Sequence, residues 1–199
     1  MQQGKIITLS GISGIGKSYL KSYILSHNPD MQSLISVTTR KRRDNEVDGI
    51  DKFFFTLEEF KKADYMGELC VINQVFDNWY AYKKSQVDLC DAGVSLITEL
   101  FYKNVVEFKN DFKNTITVYI LPNDIERTIK ELHARNLDES DVTRRIKDIE
   151  DELEYFSKHR ELFDIVVRND YTVSTCALLQ TLLMQKIRGA WNVQRQNLW

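Results

Sequence analysis

A chain of 199 residues has room for one large α/β domain, whereas two independent domains would each have a small core. The formal charge of −2 and the lack of any long apolar run exclude general attraction to nucleic acid and a membrane span, so any basic site must be local. Cys70, Cys90 and Cys176 are scattered and odd in number and share no metal-ligand spacing with His27, His133 or His159; a cytoplasmic protein without a disulfide framework is expected.

In chain order, Ile6, Ile7 and Leu9 open a buried strand, and Tyr19, Leu20, Tyr23 and Ile24 continue as a helix ending before His27-Asn28-Pro29. Between them lies Gly11-Ile12-Ser13-Gly14-Ile15-Gly16-Lys17-Ser18. Strand, glycine-rich loop and helix in this order form a phosphate-binding loop: its glycines let successive N–H groups and the helix N-terminus converge on an anion. Lys17 is then expected at the β and γ phosphates of a nucleoside triphosphate, with the Ser18 hydroxyl on Mg²⁺.

Leu34 to Thr39 reads as a strand that delivers Arg40-Lys41-Arg42-Arg43 to its end, where ligands of α/β sheets gather. Phe53–Phe55 is a short strand, and Thr56 caps a helix over Leu57–Ala63 with Glu58 and Glu59 in its first turn. Leu69–Phe76 is a strand leading to Asp77–Tyr82; a helix over Lys83–Ala92 follows, closed by Gly93. Val94–Thr98 is a buried strand ending at Glu99, a helix covers about Lys103–Phe108, and Thr115–Leu121 is the most strand-like run, stopped by Pro122. Asn123 or Asp124 caps the next helix, a long charged helix runs from about Asp141 to Phe163, and Ile165–Val167 is the last core strand before an amphipathic helix from Val173. Alternating strands and helices behind a phosphate loop predict an α/β fold, a parallel sheet covered by helices on both faces.

With these segments in place, the chain resembles the guanylate kinase family over roughly Lys5 to Leu183. The resemblance is carried by GISGIGKS, by SVTTRKRRDNEVDGIDKFFF followed by TLEEFKK, by VFDNWYAY, by RNLDESDVTRRI and by VVRND. It implies a P-loop NTPase fold over residues 1–188: a core of about 4–38, 94–134 and 160–188, an acceptor-binding insert of about 39–93 and a helical lid of about 135–159, with 189–199 a tail. It further implies ATP and Mg²⁺ as cofactors, a small-molecule phosphate acceptor such as a nucleoside monophosphate, and a monomer or homodimer. Ser36, Arg40, Arg43 and Tyr80 would hold the acceptor phosphate, Arg135 and Arg145 would neutralise the transferring group, Asn169 would lie near the adenine, and Glu99 would position Mg²⁺ through water.

Five positions depart from the family. Val71 stands where a glutamate accepts hydrogen bonds from guanine, and valine has no acceptor to offer. Asn73 shares a face with Val71 in a regular strand and would be placed to read a different ring. Tyr82 replaces a small hydroxyl residue and Phe101 an aspartate, making the base pocket more aromatic. On the phosphate side Lys52 replaces a tyrosine, exchanging an oriented donor for a point charge, and in the lid Glu131 takes an arginine's place. The expectation is an ATP-dependent kinase for GMP or for a different or modified acceptor. The alternative is a non-catalytic module that binds a phosphorylated protein partner, which would have no use for an intact Gly16-Lys17-Ser18.

Overall fold

The computed structural model describes residues 3–75, 77–133 and 139–189. Strand β1 (Ile6–Ser10) is buried along its whole length, as a central parallel strand must be. Helix α1 (Lys17–Ser26) leaves directly from the glycine loop. After β2 (Met31–Ser33) the chain quits the first sheet at Leu34–Ile35 and enters a second one at β3 (Ser36–Thr38). The strand expected over Leu34–Thr39 is therefore only β3, over Ser36–Thr38, and the sequence reading missed β2, which precedes it in the other sheet. Within the second unit come β4 (Phe53–Phe54), α2 (Leu57–Tyr65), β5 (Leu69–Val75), β6 (Asn78–Lys83) and α3 (Lys84–Val87). Thr56 caps α2 as expected, in a reciprocal capping box with Glu59.

The chain then returns to the core with β7 (Ser95–Glu99), α4 (Val105–Asp111), β8 (Thr115–Pro122), α5 (Ile125–His133), α6 (Glu139–Lys158), β9 (Ile165–Asn169) and α7 (Val173–Ile187). The helix expected over Lys83–Ala92 is shorter, because β6 holds Lys83 opposite Leu69, and a single 3₁₀ turn (Asp88–Cys90) finishes it. Asp124, of the two candidates, caps α5: its Oδ1 accepts from the amides of Glu126 and Arg127. Helix α6 stops at Lys158, and a 3₁₀ turn over Arg160–Leu162 takes up the remainder of the predicted helix.

The larger sheet has the order β2-β7-β1-β8-β9 with every pair parallel. Residues of β8 divide by period two: Ile116, Val118 and Ile120 enter one apolar cluster with α1 and α7, while Tyr119 and Leu121 enter another with Phe108, Phe156 and Phe163. The smaller sheet, β4-β3-β6-β5, buries Val37, Leu69 and Ala81 against Phe60 and Ala63 of α2. Chain order reverses around β1, so a crevice opens beyond the carboxyl ends of β1, β7 and β8, where the glycine loop and Glu99 lie. Among the described residues no helix is long and apolar enough to cross a membrane.

Candidate active site

Burial pins the loop beneath the crevice. Ile12 and Ile15 are fully buried core residues, so they contribute backbone amides and not side chains. Gly11 has φ 144° and a side chain there would meet the Ile120 carbonyl at 2.5 Å; Gly16, at φ 86°, starts α1. The Lys17 Nζ donates to the carbonyls of Gly11 and Ile12, the latter at 3.0 Å. Ser18 Oγ donates to Glu99 Oε1 at 2.8 Å, so the two expected Mg²⁺-side groups are neighbours. Arg145 reaches from α6 to the loop, its Nη1 donating to Ser13 Oγ at 3.1 Å. Arg135 and the start of the lid lie outside the described residues.

Asn169 lies at the end of β9, against the loop. It is buried, its Nδ2 donates to the Ile15 carbonyl at 2.7 Å and its Oδ1 accepts from the Tyr171 amide at 2.9 Å. Both ends of the amide are thus spent on fastening the loop to the end of β9. Tyr171 completes the fastening, donating to the Gly14 carbonyl at 3.2 Å and hydrogen-bonding Thr128 at 2.9 Å, under the Arg127 guanidinium at 4.5 Å.

A cavity of about 200 Å³ lies under the loop, with Gly11, Ser13, Lys17, Arg145, Asp148 and Glu152 among its walls. Glu152 is an acid on the apolar stripe of α6, between Ile149 and Phe156, and that interruption of the stripe was its sequence signal. Burial pushes its carboxyl up to about 7 against the pull of the Lys17 ammonium. Burial also raises Asp148, with Arg144 and Arg145 acting the other way.

A second cavity of about 140 Å³ is lined by Ser36, Lys52, Asn73, Tyr80, Tyr82 and Phe101. Val75, Glu99, Leu100 and Phe101 belong to the walls of both cavities, which therefore abut. The Tyr82 hydroxyl is spent inward, donating to the Glu99 carbonyl and accepting from Thr98, each at 3.1 Å. Lys52 Nζ donates to Ser36 Oγ at 2.9 Å, and burial lowers its pKa against the attraction of Glu99.

Arg40 and Arg43 stand outside the walls of both cavities, gathered by Glu46, a residue the sequence reading passed over. Arg40 Nη2 donates to both Glu46 oxygens at 2.7 and 3.0 Å, and the Arg43 amide donates to Oε2 at 2.9 Å. Burial works to raise the Glu46 pKa, but these hydrogen bonds and the two guanidinium charges outweigh it and hold the carboxyl below its ordinary value. Spacings of six and three residues from Arg40 and Arg43 were the available signal.

The family model described as guanylate kinase matches residues 3–186. The chain belongs to the guanylate kinase family. Among its relatives, a guanylate kinase of Mycoplasmoides gallisepticum is 31% identical over 92% of this chain and 94% of its own length. One from Mycoplasma pneumoniae is 34% identical over 91% and 76%. The crystal structure of guanylate kinase from Anaplasma phagocytophilum superposes with a TM-score of 0.71 at 23% identity, covering 93% of this chain and 87% of that one, which fixes the P-loop fold.

Against that family background, position 71 is the point where the expected base reader and the geometry part. Tyr82 pairs with Cys70 and Tyr80 with Asn73, so Val71 and Ile72 together oppose Ala81 in a β-bulge, and Val71 takes φ 49°. Val71 is 4% exposed in the cluster of Leu34, Tyr82 and Phe108 and is not among the residues lining the second cavity, whereas Asn73 is.

Proposed function

We propose that this nucleoside monophosphate kinase transfers the γ-phosphoryl of Mg-bound ATP to the phosphate of a nucleoside monophosphate whose base is read without the family's carboxylate, so that GMP is not its preferred acceptor. The carrying observation is the pair of abutting cavities. One lies under the phosphate loop, the other inside the insert, and Glu99 and Phe101 belong to both. Two anions bound on either side of one shared wall are set for direct transfer.

An acceptor phosphate is already ionised, so no general base is needed and the protein's task is positioning and charge neutralisation. Lys17, on leaving the carbonyls of Gly11 and Ile12, supplies its ammonium to the donor phosphates. Arg145, anchored at Ser13, adds a second cation from the lid helix. Glu46 accepts from Arg40 Nη2 through both oxygens and fixes that guanidinium outside the two cavities, so Arg40 would reach acceptor phosphate oxygens on turning away from Glu46. Ser18 Oγ and Glu99 Oε1, 2.8 Å apart, are the hydroxyl and carboxylate that would hold a hard cation such as Mg²⁺, which would supply charge neutralisation to the nucleotide phosphates.

The test is ADP release from Mg·ATP over a panel of nucleoside monophosphates. Turnover with at least one acceptor, abolished in Lys17→Ala, is expected. GMP giving the highest kcat/KM would overturn the acceptor assignment, and no turnover with any acceptor would overturn the kinase assignment.

A further inference from the structure

Glu152 is a buried group of the loop cavity for which phosphoryl transfer, as described so far, has no use. It is 7% exposed, and its Oε1 has no hydrogen-bond partner among the described residues. The Tyr119 hydroxyl, on β8 beside Ser10 of β1, is buried and unpartnered in the same way. Buried carboxylates are ordinarily paired, so an orphaned one on the wall of a phosphate cavity needs a reason.

The titratable and charged groups around this carboxyl are Lys17 of α1, Glu99 of β7, Tyr102 ahead of α4, Tyr119 of β8, and Arg145 and Asp148 of α6 itself. Burial opposes the ionised form most strongly, Lys17 favours it more than any other group does, and the balance leaves the carboxyl at about 7. Lys17 can act on Glu152 because its Nζ is held on the Gly11 and Ile12 carbonyls, in the same cavity. Phosphate groups entering the loop draw the ammonium toward themselves and bring like charge toward Glu152. Both changes favour the neutral acid.

We propose that Glu152 is a positioning residue that takes up a proton when Mg·ATP binds, so that nucleotide and proton enter the loop cavity together. The proton comes from solvent and adds to a carboxylate oxygen, with no other bond made or broken. Its O–H restores a donor to a cavity in which the Gly11 and Ile12 carbonyls have just lost the Lys17 ammonium. The floor of the loop is thereby kept neutral and hydrogen-bonded while the phosphates are seated. The assignment rests on Mg·ATP being the phosphoryl donor, and on nothing about the acceptor's base.

Titration calorimetry of Mg·ATP into the full chain at about pH 8, in two buffers of different ionisation enthalpy, counts the protons taken up. Between about 0.5 and 1 proton per nucleotide is expected for wild type and close to none for Glu152→Gln. Mg·ATP affinity should fall toward about 10-fold per pH unit between about pH 7 and 9 in wild type and stay nearly flat in Glu152→Gln. A carboxyl with a purely structural role would change stability or affinity and leave the proton count alone. Tyr119→Phe removes a hydroxyl that favours the ionised form, so the onset of the pH dependence should move upward. Equal uptake by wild type and Glu152→Gln, or none by wild type, overturns the inference and leaves the kinase assignment standing. Failure of Mg·ATP to bind at any pH overturns both. Should Glu152→Gln not fold, the wild-type count and the Tyr119→Phe shift decide.

Discussion

Restoring the family's glutamate by Val71→Glu should damage the protein instead of returning guanine preference to it. The side chain at 71 is 4% exposed among Leu34, Tyr82 and Phe108, so a carboxylate placed there loses its water and finds no cation in that cluster. Buried acids respond by a rise in pKa of about 2 to 3 units, which at pH 8 corresponds to roughly 3 to 4 kcal/mol. Glutamate tolerates φ 49° somewhat better than a β-branched valine, which offsets less than about 1 kcal/mol. For a chain of this length the net loss lowers Tm by roughly 6 to 16 °C. The folded-state pKa is raised, so the penalty grows as pH rises above the unfolded value; at pH 5 it shrinks to about 1 kcal/mol. Thermal melts followed by circular dichroism at pH 5 and pH 8, beside the GMP to IMP ratio of kcat/KM, test this. A variant as stable as wild type at pH 8 with a raised GMP ratio would show that residue 71 faces the base and that the bulge does not redirect it.

Other expectations follow from single contacts. Asn169→Ala orphans the Ile15 carbonyl and the Tyr171 amide, which should cost about 2 to 4 kcal/mol in denaturant unfolding and raise KM for ATP, because the loop loses its tie to β9. Glu46→Gln weakens the hold on Arg40 outside the cavities; KM for the acceptor should fall by about 10-fold with a smaller change in kcat. Since the folded-state pKa of Glu46 is depressed, the stability gap between wild type and Glu46→Gln should be full above pH 4.5 and close as pH falls below it. Glu152 has the opposite sign. Its carboxyl is raised from 4.5 to about 7, so wild type should lose stability relative to Glu152→Gln as pH climbs through that window, and a flat difference across it would refute the burial argument.

What could be read from the sequence was local. The glycine loop, the Thr56 cap and the alternation of β8 each rest on neighbouring residues, and each appears in the fold where the pattern put it. What could not be read depends on partners far along the chain. Met31–Ser33 was missed as a strand because nothing in it says that it pairs with β7, while the adjoining Ser36–Thr38 pairs with β4 and β6 in another sheet. Alternation put Val71 and Asn73 on one face, but one extra residue opposite Ala81 separates them, and no local composition announces that bulge. The motif around Asn169 places it near the adenine, but only its contact across 154 positions of sequence shows it also holding Ile15.

The common wall of Val75, Glu99, Leu100 and Phe101 also has a use outside turnover. Two nucleosides joined through a short oligophosphate could occupy both chambers at once, the second docking at the high effective concentration that the tether imposes. Swapping the acceptor-end base of such a bivalent inhibitor would then report the chain's selectivity as an inhibition constant, free of any chemical step.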